Sequence, residues 1–380
     1  MNIRPYLLLT NLSLTLLTGS YTLQAQYVGP GKPEIKKLKA LIKAGDRAAE
    51  GSPEAEVKRF YTGFQQRADQ ALTEDPHPID TIRSEGLLQG NPKKTATQFA
   101  LTDMGRMYAL ALVYRVSGDK RYLIKTAAYL KSWALKNTPN GDPIDDTNLD
   151  PCIEAYDMVK EKLSTEDDGI IKEWLQRTAE IEISGPHNRP GRGTATNNWH
   201  SHRLKIIGEI AYAIGDTTLQ GYSINGLKKQ IRTNLNPDGS STDFVSRDAL
   251  HYHVYDLEPL LKLAIVLQRA TGVDYYTYES PAGTSIKKST DWLLPFLNGQ
   301  KTHGEFVNST VPFDRERAKN GEAAYKAGTL FDPKNGIQTL VLAAWFDPGL
   351  LPLARQLQNK GDHYPAWQSV VNELTDKSNQ

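Results

Sequence analysis

Residues 196–214 read Thr196-Asn197-Asn198-Trp199-His200-Ser201-His202-Arg203-Leu204-Lys205-Ile206-Ile207-Gly208-Glu209-Ile210-Ala211-Tyr212-Ala213-Ile214. From Asn198 to Ile214 the apolar residues recur at three- and four-residue spacing, the period of an α-helix. The first turn has a different character. It gathers two amides, an indole, two imidazoles, a hydroxyl and a guanidinium. Polar groups like these are costly to bury unpaired, because each loses its water. The run is also too aromatic and too rich in histidine for ordinary solvated surface. A helix that begins in chemistry and continues in hydrocarbon is therefore the unit from which the chain is read outward.

The same periodicity predicts helices over Pro33–Ala49, Pro53–Leu72, Leu101–Val116, Lys120–Leu135, Pro151–Leu163 and Asp168–Ile183. It continues over Leu219–Leu235, Asp248–Thr271, Ser285–Leu297, Gly336–Trp345 and Leu350–Leu357. Breakers separate them, among them Ser117-Gly118-Asp119, Gly215-Asp216 and Thr271-Gly272. Alternating runs of Val, Ile and Thr are nearly missing. Several helices have two apolar flanks, as inner helices of a layered array should. No linker or low-complexity tract divides the chain. The expected fold is all-α and single-domain: an α/α toroid, an incomplete or closed barrel of helical hairpins whose loops converge on one mouth. Four long non-periodic segments, 75–100, 139–150, 185–196 and 302–323, are candidates for functional loops. They carry Lys94, Arg192 and Arg315 among their cations.

Residues 1–25 read as an export signal, with one cation at Arg4, an apolar run from Tyr6 to Leu17 and a small-residue ending at Ala25. That run is too short to span a bilayer, which needs roughly 20 apolar residues. The expected product is residues 26–380, periplasmic or secreted, with no membrane span. The charges, 45 Lys+Arg against 44 Asp+Glu, balance once Arg4 is removed. This argues against nucleic acid as a general partner. The one cysteine, Cys152, allows no internal disulfide and reads as a small buried hydrophobe.

A second dense run, Arg247-Asp248-Ala249-Leu250-His251-Tyr252-His253-Val254-Tyr255, supplies further parts for proton abstraction. His251 and Tyr255 share a helical face at i,i+4, and Tyr252 joins at i,i+3. Positive charge nearby would lower a phenol's pKa. In the first run Asn197 is either the helix cap or a free amide donor. His200 and His202 lie two apart, so one serves a site and the other the structure; the neighbouring Asn-Asn-Trp favours His200. His200 and Arg203 are neighbours at i,i+3. Catalytic zinc is disfavoured, because His-x-His chelates on a strand and not on a helix. No metal or other cofactor is expected. No Gly-x-Ser-x-Gly elbow is present. The carboxylates at 145–157 read as helix capping, with a paired-carboxylate hydrolase as the rival.

Asn197-Asn198-Trp199-His200-Ser201 resembles the Asn-Asn-His-Ser motif of the helical-barrel alginate lyases, and Ala249–Tyr255 resembles their Ala-Leu-x-Tyr-His-x-Tyr motif. The likeness covers roughly residues 90–320. It points to the alginate-lyase-like superfamily, polysaccharide lyase families 5 and 38, with family 38 nearer in motif form. The resemblance implies β-elimination on a 4-linked polyuronate. The expected substrate is alginate with mannuronate-type linkages, glucuronan being the alternative; a non-catalytic polyuronate-binding protein is a further alternative. It implies Asn198 (or Asn197) on the C5 carboxylate, His200 assisting removal of the C5 proton, and Tyr255 as catalytic acid and base. Trp199, Arg247, His251, Tyr252, Arg192, Arg203, Lys94 and Arg315 are the expected substrate-binding residues. The sequence departs from family 5 in two places: Trp199 separates the asparagines from His200, and Arg247 stands one residue before the family's arginine, at which Asp248 lies.

Overall fold

The computed structural model describes residues 26–375, so the leader expected over 1–25 lies outside the described residues. In chain order the helices are α1 (Lys32–Gly45), α2 (Pro53–Thr73), α3 (Pro92–Ala100), α4 (Thr102–Ser117), α5 (Lys120–Lys136), α6 (Pro143–Asp146), α7 (Asp150–Val159), α8 (Thr165–Ser184) and α9 (Asn198–Ile214). There follow α10 (Thr217–Asn234), α11 (Thr242–Arg247), α12 (Leu250–Thr271), α13 (Ile286–Leu297), α14 (Pro312–Lys319), α15 (Ile337–Ala343), α16 (Leu351–Gln358) and α17 (Trp367–Leu374). Among the described residues, β-structure is limited to two isolated bridges.

The punctuation follows the side chains. Ser52, Asp119, Ser164 and Asp216 each turn a side-chain oxygen onto an N–H of the first turn of α2, α5, α8 and α10. Gly118, Gly215 and Gly272 end α4, α9 and α12 with positive φ, where a Cβ would be strained. Two expected loops contain helices, α3 in 75–100 and α14 in 302–323. Each opens on a proline and runs for only 9 and 8 residues respectively. So few turns leave no readable period. The six-residue α11 and the eight-residue α17 escaped for the same reason.

Helices α4, α7, α9, α12 and α15 form an inner layer, each packed on the next. Outside them α5, α8 and α10 pack on the inner helices and return the chain. The ring closes where α17 meets α1 and α15. Trp367 of α17 packs on Phe64 of α2, ring centroids 4.9 Å apart, and donates its indole N–H to the Tyr108 hydroxyl at 2.6 Å. One apolar core runs from Val28 to Leu374, with Cys152 fully buried in it.

The inner helices run parallel. The His202 ring of α9 meets Tyr255 of α12, and seven residues further on Glu209 meets Lys262 at 3.4 Å. Between these levels Gly208 lets the two backbones approach, since a Cβ there would lie 2.3 Å from Leu263 Cδ1. Lys205 likewise pairs with Asp150 at the start of α7. The first turns of α7, α9 and α12 therefore converge on one rim.

Candidate active site

The start of α12 is built from outside the helix. Ala249 has no side chain with which to cap it, and the Glu305 carboxylate accepts from the N–H groups of Leu250 at 2.8 Å and His251 at 3.0 Å. Asp248 closes α11 at φ 48° and accepts from the backbone and side-chain amides of Asn308. The segment 303–308 is thus tied to the rim from both ends. It carries Phe306, which forms a small aromatic cluster with Ala249, Tyr252, Tyr255 and Tyr325. This cluster sets the directions of His251, Tyr252 and Tyr255.

Tyr255 is half-buried, with its ring 4.3 Å from the His202 ring and stacked parallel to His251 at 6.2 Å. Four residues on stands Pro259, inside the helix. Proline has no N–H, so the Tyr255 carbonyl lacks its i+4 helical donor. The His202 Nε2 lies 3.1 Å from that carbonyl oxygen. A carbonyl can only accept, so Nε2 carries the proton and Nδ1 is the acceptor. Nδ1 then takes the hydroxyl hydrogen of Thr147 at 2.9 Å, and Thr147 Oγ1 accepts from the Lys205 ammonium at 2.6 Å. Burial, then the Lys205 charge, pushes the His202 pKa down to about 3. His202 is a neutral imidazole with both nitrogens committed, a support for Tyr255 and not a base.

Burial raises the Tyr255 phenol above its ordinary value, and Glu85, Tyr325, Asp142 and Glu258 add to the rise. The phenol is a proton donor at rest. His251 is pushed down to about 4 by burial, then by Arg317 and Arg247. Among the described residues its ring nitrogens have no hydrogen-bond partner, so it stands beside Tyr255 as a free neutral base. Behind this pair Arg247 and Arg317 both donate to the Tyr252 hydroxyl, at 3.0 and 2.9 Å. Arg247 also sits over the Tyr252 ring, its Cζ 4.0 Å from the centroid, and pairs with Asp314.

The first turn of α9 differs from expectation in two ways. The His200 ring does not turn to Tyr255. Its Nδ1 accepts from Arg203 at 3.3 Å and it faces a pocket beside α10. Two helical positions are a rotation of about 200°, so His202 and His200 look in opposite directions, and it is His202 that meets the phenol. Asn198 is the second. It is buried, and its amide nitrogen and backbone N–H are both taken by Asp243. Asn197 is the cap: its Oδ1 accepts from the Trp199 N–H at 3.1 Å, which leaves its own NH2 to donate. Half-buried Trp199 packs its ring 5.0 Å from His187.

The family profile described as alginate lyase matches residues 41–303. The chain belongs to the alginate lyase family. As a member it is a polysaccharide lyase. An alginate lyase from Bacteroides ovatus is similar at 17% identity and a TM-score of 0.64, with 90% of this chain and 97% of that one covered. Alginate lyase A1-III from Sphingomonas species A1 is similar at 18% identity and a TM-score of 0.50, over 73% and 81% of the two chains. A variant of A1-III complexed with a tetrasaccharide gives a TM-score of 0.55 at 16% identity, over 85% and 90%. These likenesses establish the α/α toroid. No curated protein sequence gives a match.

The remaining expected site residues of this alginate lyase family member divide between rim and scaffold. Arg203 is fully buried and paired with Glu182 at 3.2 Å, so it is structural. Lys94 is spent on the Leu87 carbonyl at 3.0 Å, which shapes the loop near Glu85. Arg192 is exposed on the 185–196 loop, and exposed Arg315 donates to the Ser309 carbonyl. The acidic cluster is scaffold too. Asp145 receives the Ser84 and Glu85 amides, Asp150 and Glu154 pair with Lys262, and Asp157 holds the Val28 and Gly29 amides. Sequence reasoning left out Arg317, Tyr325 and Glu85 as site residues. The signal available for Arg317 was its place in a long cationic loop.

Proposed function

We propose that this polysaccharide lyase cleaves alginate by β-elimination at mannuronate-type linkages, with Tyr255 and His251 as the proton-transfer pair. The observation that carries the reading is their parallel stacking at the rim, with planes within 5°. Four apart on α12, they approach a bound sugar from one side. Mannuronate has its C5 hydrogen and O4 on the same face and guluronate does not, so of the two alginate units it is the one such a pair suits. The neutral His251 imidazole accepts the C5 proton. The C5–H electron pair becomes the C4=C5 double bond, the C4–O4 bond breaks, and the Tyr255 phenol protonates the departing O4. The resulting imidazolium and phenolate then re-equilibrate by one proton.

Removal of the C5 proton requires the adjacent carboxylate to be neutralised, because charge grows there in the transition state. The field of Arg247 and Arg317 supplies that here, since the expected Asn198 is held by Asp243. His200, turned to Arg203 and the pocket beside α10, takes no part in proton transfer. Export to the periplasm or beyond belongs to the same proposal and rests on residues 1–25. The partner is an acidic polysaccharide.

The test compares poly-mannuronate, poly-guluronate and glucuronan, followed by the ultraviolet absorbance of the unsaturated product. Poly-mannuronate should be cleaved fastest, Tyr255→Phe should give no product, and His251→Asn should lose most of the rate. Full activity in Tyr255→Phe, or products that have gained water by mass spectrometry, would defeat the proposal. Faster cleavage of glucuronan would reassign the substrate.

A further inference from the structure

The pocket that His200 faces, about 560 Å³ in volume, lies behind α9 between the 185–196 loop and α10. Asn188, Thr196, His200, Tyr222, Asn225 and Lys229 line it, and none of its described lining residues is acidic. His200 is only 8% exposed. Its Nδ1 accepts from the Arg203 guanidinium, a group that can only donate, so the proton sits on Nε2. Among the described residues Nε2 has no partner. A buried imidazole with one nitrogen fixed as acceptor is a fixed donor at the other.

Two further donors face the same space. The Tyr222 hydroxyl accepts from the Asn188 amide at 3.4 Å, which leaves its own hydrogen to give. Lys229 is exposed, and among the described residues it has no carboxylate partner. Burial and the charges of Arg203 and Lys229 push His200 down to about 3, so it stays neutral across the working range. One cation with two neutral donors matches a singly charged, planar oxyanion better than a phosphate dianion. The walls of Pro190, Gly191, Ala195 and Gly226 leave room for a sugar ring. Thr196 lines this pocket and Asn197 caps α9, so the pocket adjoins the catalytic rim.

We propose that this pocket is a second carbohydrate site, where His200, Tyr222 and Lys229 hold the carboxylate of a uronate unit that is not being cleaved. The ligand class rests on the polyuronate reading above; the donor geometry does not. Such a site would retain a long chain beside the rim between cleavages.

The test uses Tyr255→Phe protein labelled with 15N at its eight histidines, titrated with mannuronate trisaccharide. His200 is assigned from a His200→Gln variant. The His200 Nε2 resonance should shift and saturate while the imidazole stays neutral. Lys229→Ala, a surface change that leaves folding intact, should weaken saturation by about tenfold. Neutral mannotriose should leave the resonance unmoved. If wild-type protein cleaves poly-mannuronate but His200 does not respond, or responds identically in Lys229→Ala, the second site is overturned and the substrate reading stands. If the polymer is not cleaved and His200 still responds, the site stands and the catalytic reading falls. Neither cleavage nor response overturns both.

Discussion

The orphaned carbonyl of Tyr255 gives the sharpest test of how the site is held. His202→Phe keeps a ring against the phenol and removes the N–H that covers the carbonyl at 3.1 Å. The loss is the net hydrogen bond together with desolvation of a buried acceptor, about 2–3 kcal/mol of stability. Pro259→Ala restores an amide at the position that ordinarily serves that carbonyl. By itself the change relieves a proline inside α12, so its single effect is not informative. The double-mutant cycle is. In His202→Phe/Pro259→Ala the new amide has an unserved acceptor, and the pair should be favourably coupled by about 1–2 kcal/mol. Urea unfolding at constant m-value measures it. Turnover should follow, since a displacement of about 1 Å at the phenol can cost on the order of 10²-fold in rate. His202→Phe should be slow and the double variant should recover part of the loss. Additivity within about 0.5 kcal/mol, with no recovery of rate, would refute the idea that His202 replaces the missing helical donor.

Three further outcomes follow from the packing. Gly208→Ala places a Cβ 2.3 Å from Leu263 Cδ1; it should destabilise by about 1–3 kcal/mol, and Leu263→Ala in the same chain should recover part of that in urea melts. Glu209 is pushed up to about 8 by burial and then by Asp150. Its folded pKa is above its ordinary value of 4.5, so its contribution is full below about 4.5 and is lost progressively as pH rises to about 8. Glu209→Gln should flatten the decline between about pH 4.5 and 8, and an unchanged pH profile of the unfolding midpoint would contradict the assignment. Glu305→Ala uncaps α12 and should cost about 1–2 kcal/mol, with faster hydrogen exchange at the Leu250 and His251 amides; unaltered exchange would show that the helix start holds without it.

The sequence made the helical layers legible because long helices repeat their period many times and end at Ser, Asp and Gly. It also made Tyr255 legible, through a run in which imidazoles, phenols and a guanidinium crowd one segment. It was less able to say which histidine faces the phenol. His200 and His202 differ by about 200° of helical phase, and Asn-Asn-Trp is local context that says nothing of rotation. Pro259, four residues after Tyr255, was a clue to His202 that local motif reading does not use. Asn198 was lost to Asp243, and Arg317 reaches Tyr252, by contacts across 45 and 65 residues that no local pattern encodes.

The uneven lengths of the connections have a consequence for how such an enzyme diversifies. On the side away from the rim, α4 passes to α5 through residues 118–119 and α9 to α10 through residues 215–216. On the rim side, residues 185–197 lead into α9 and residues 298–336, which include α14, separate α13 from α15. Insertions and substitutions on the rim side fall in segments that the hydrocarbon interior does not constrain. New polymer preferences can therefore arise by rewriting one end of the ring while the other end continues to specify the fold.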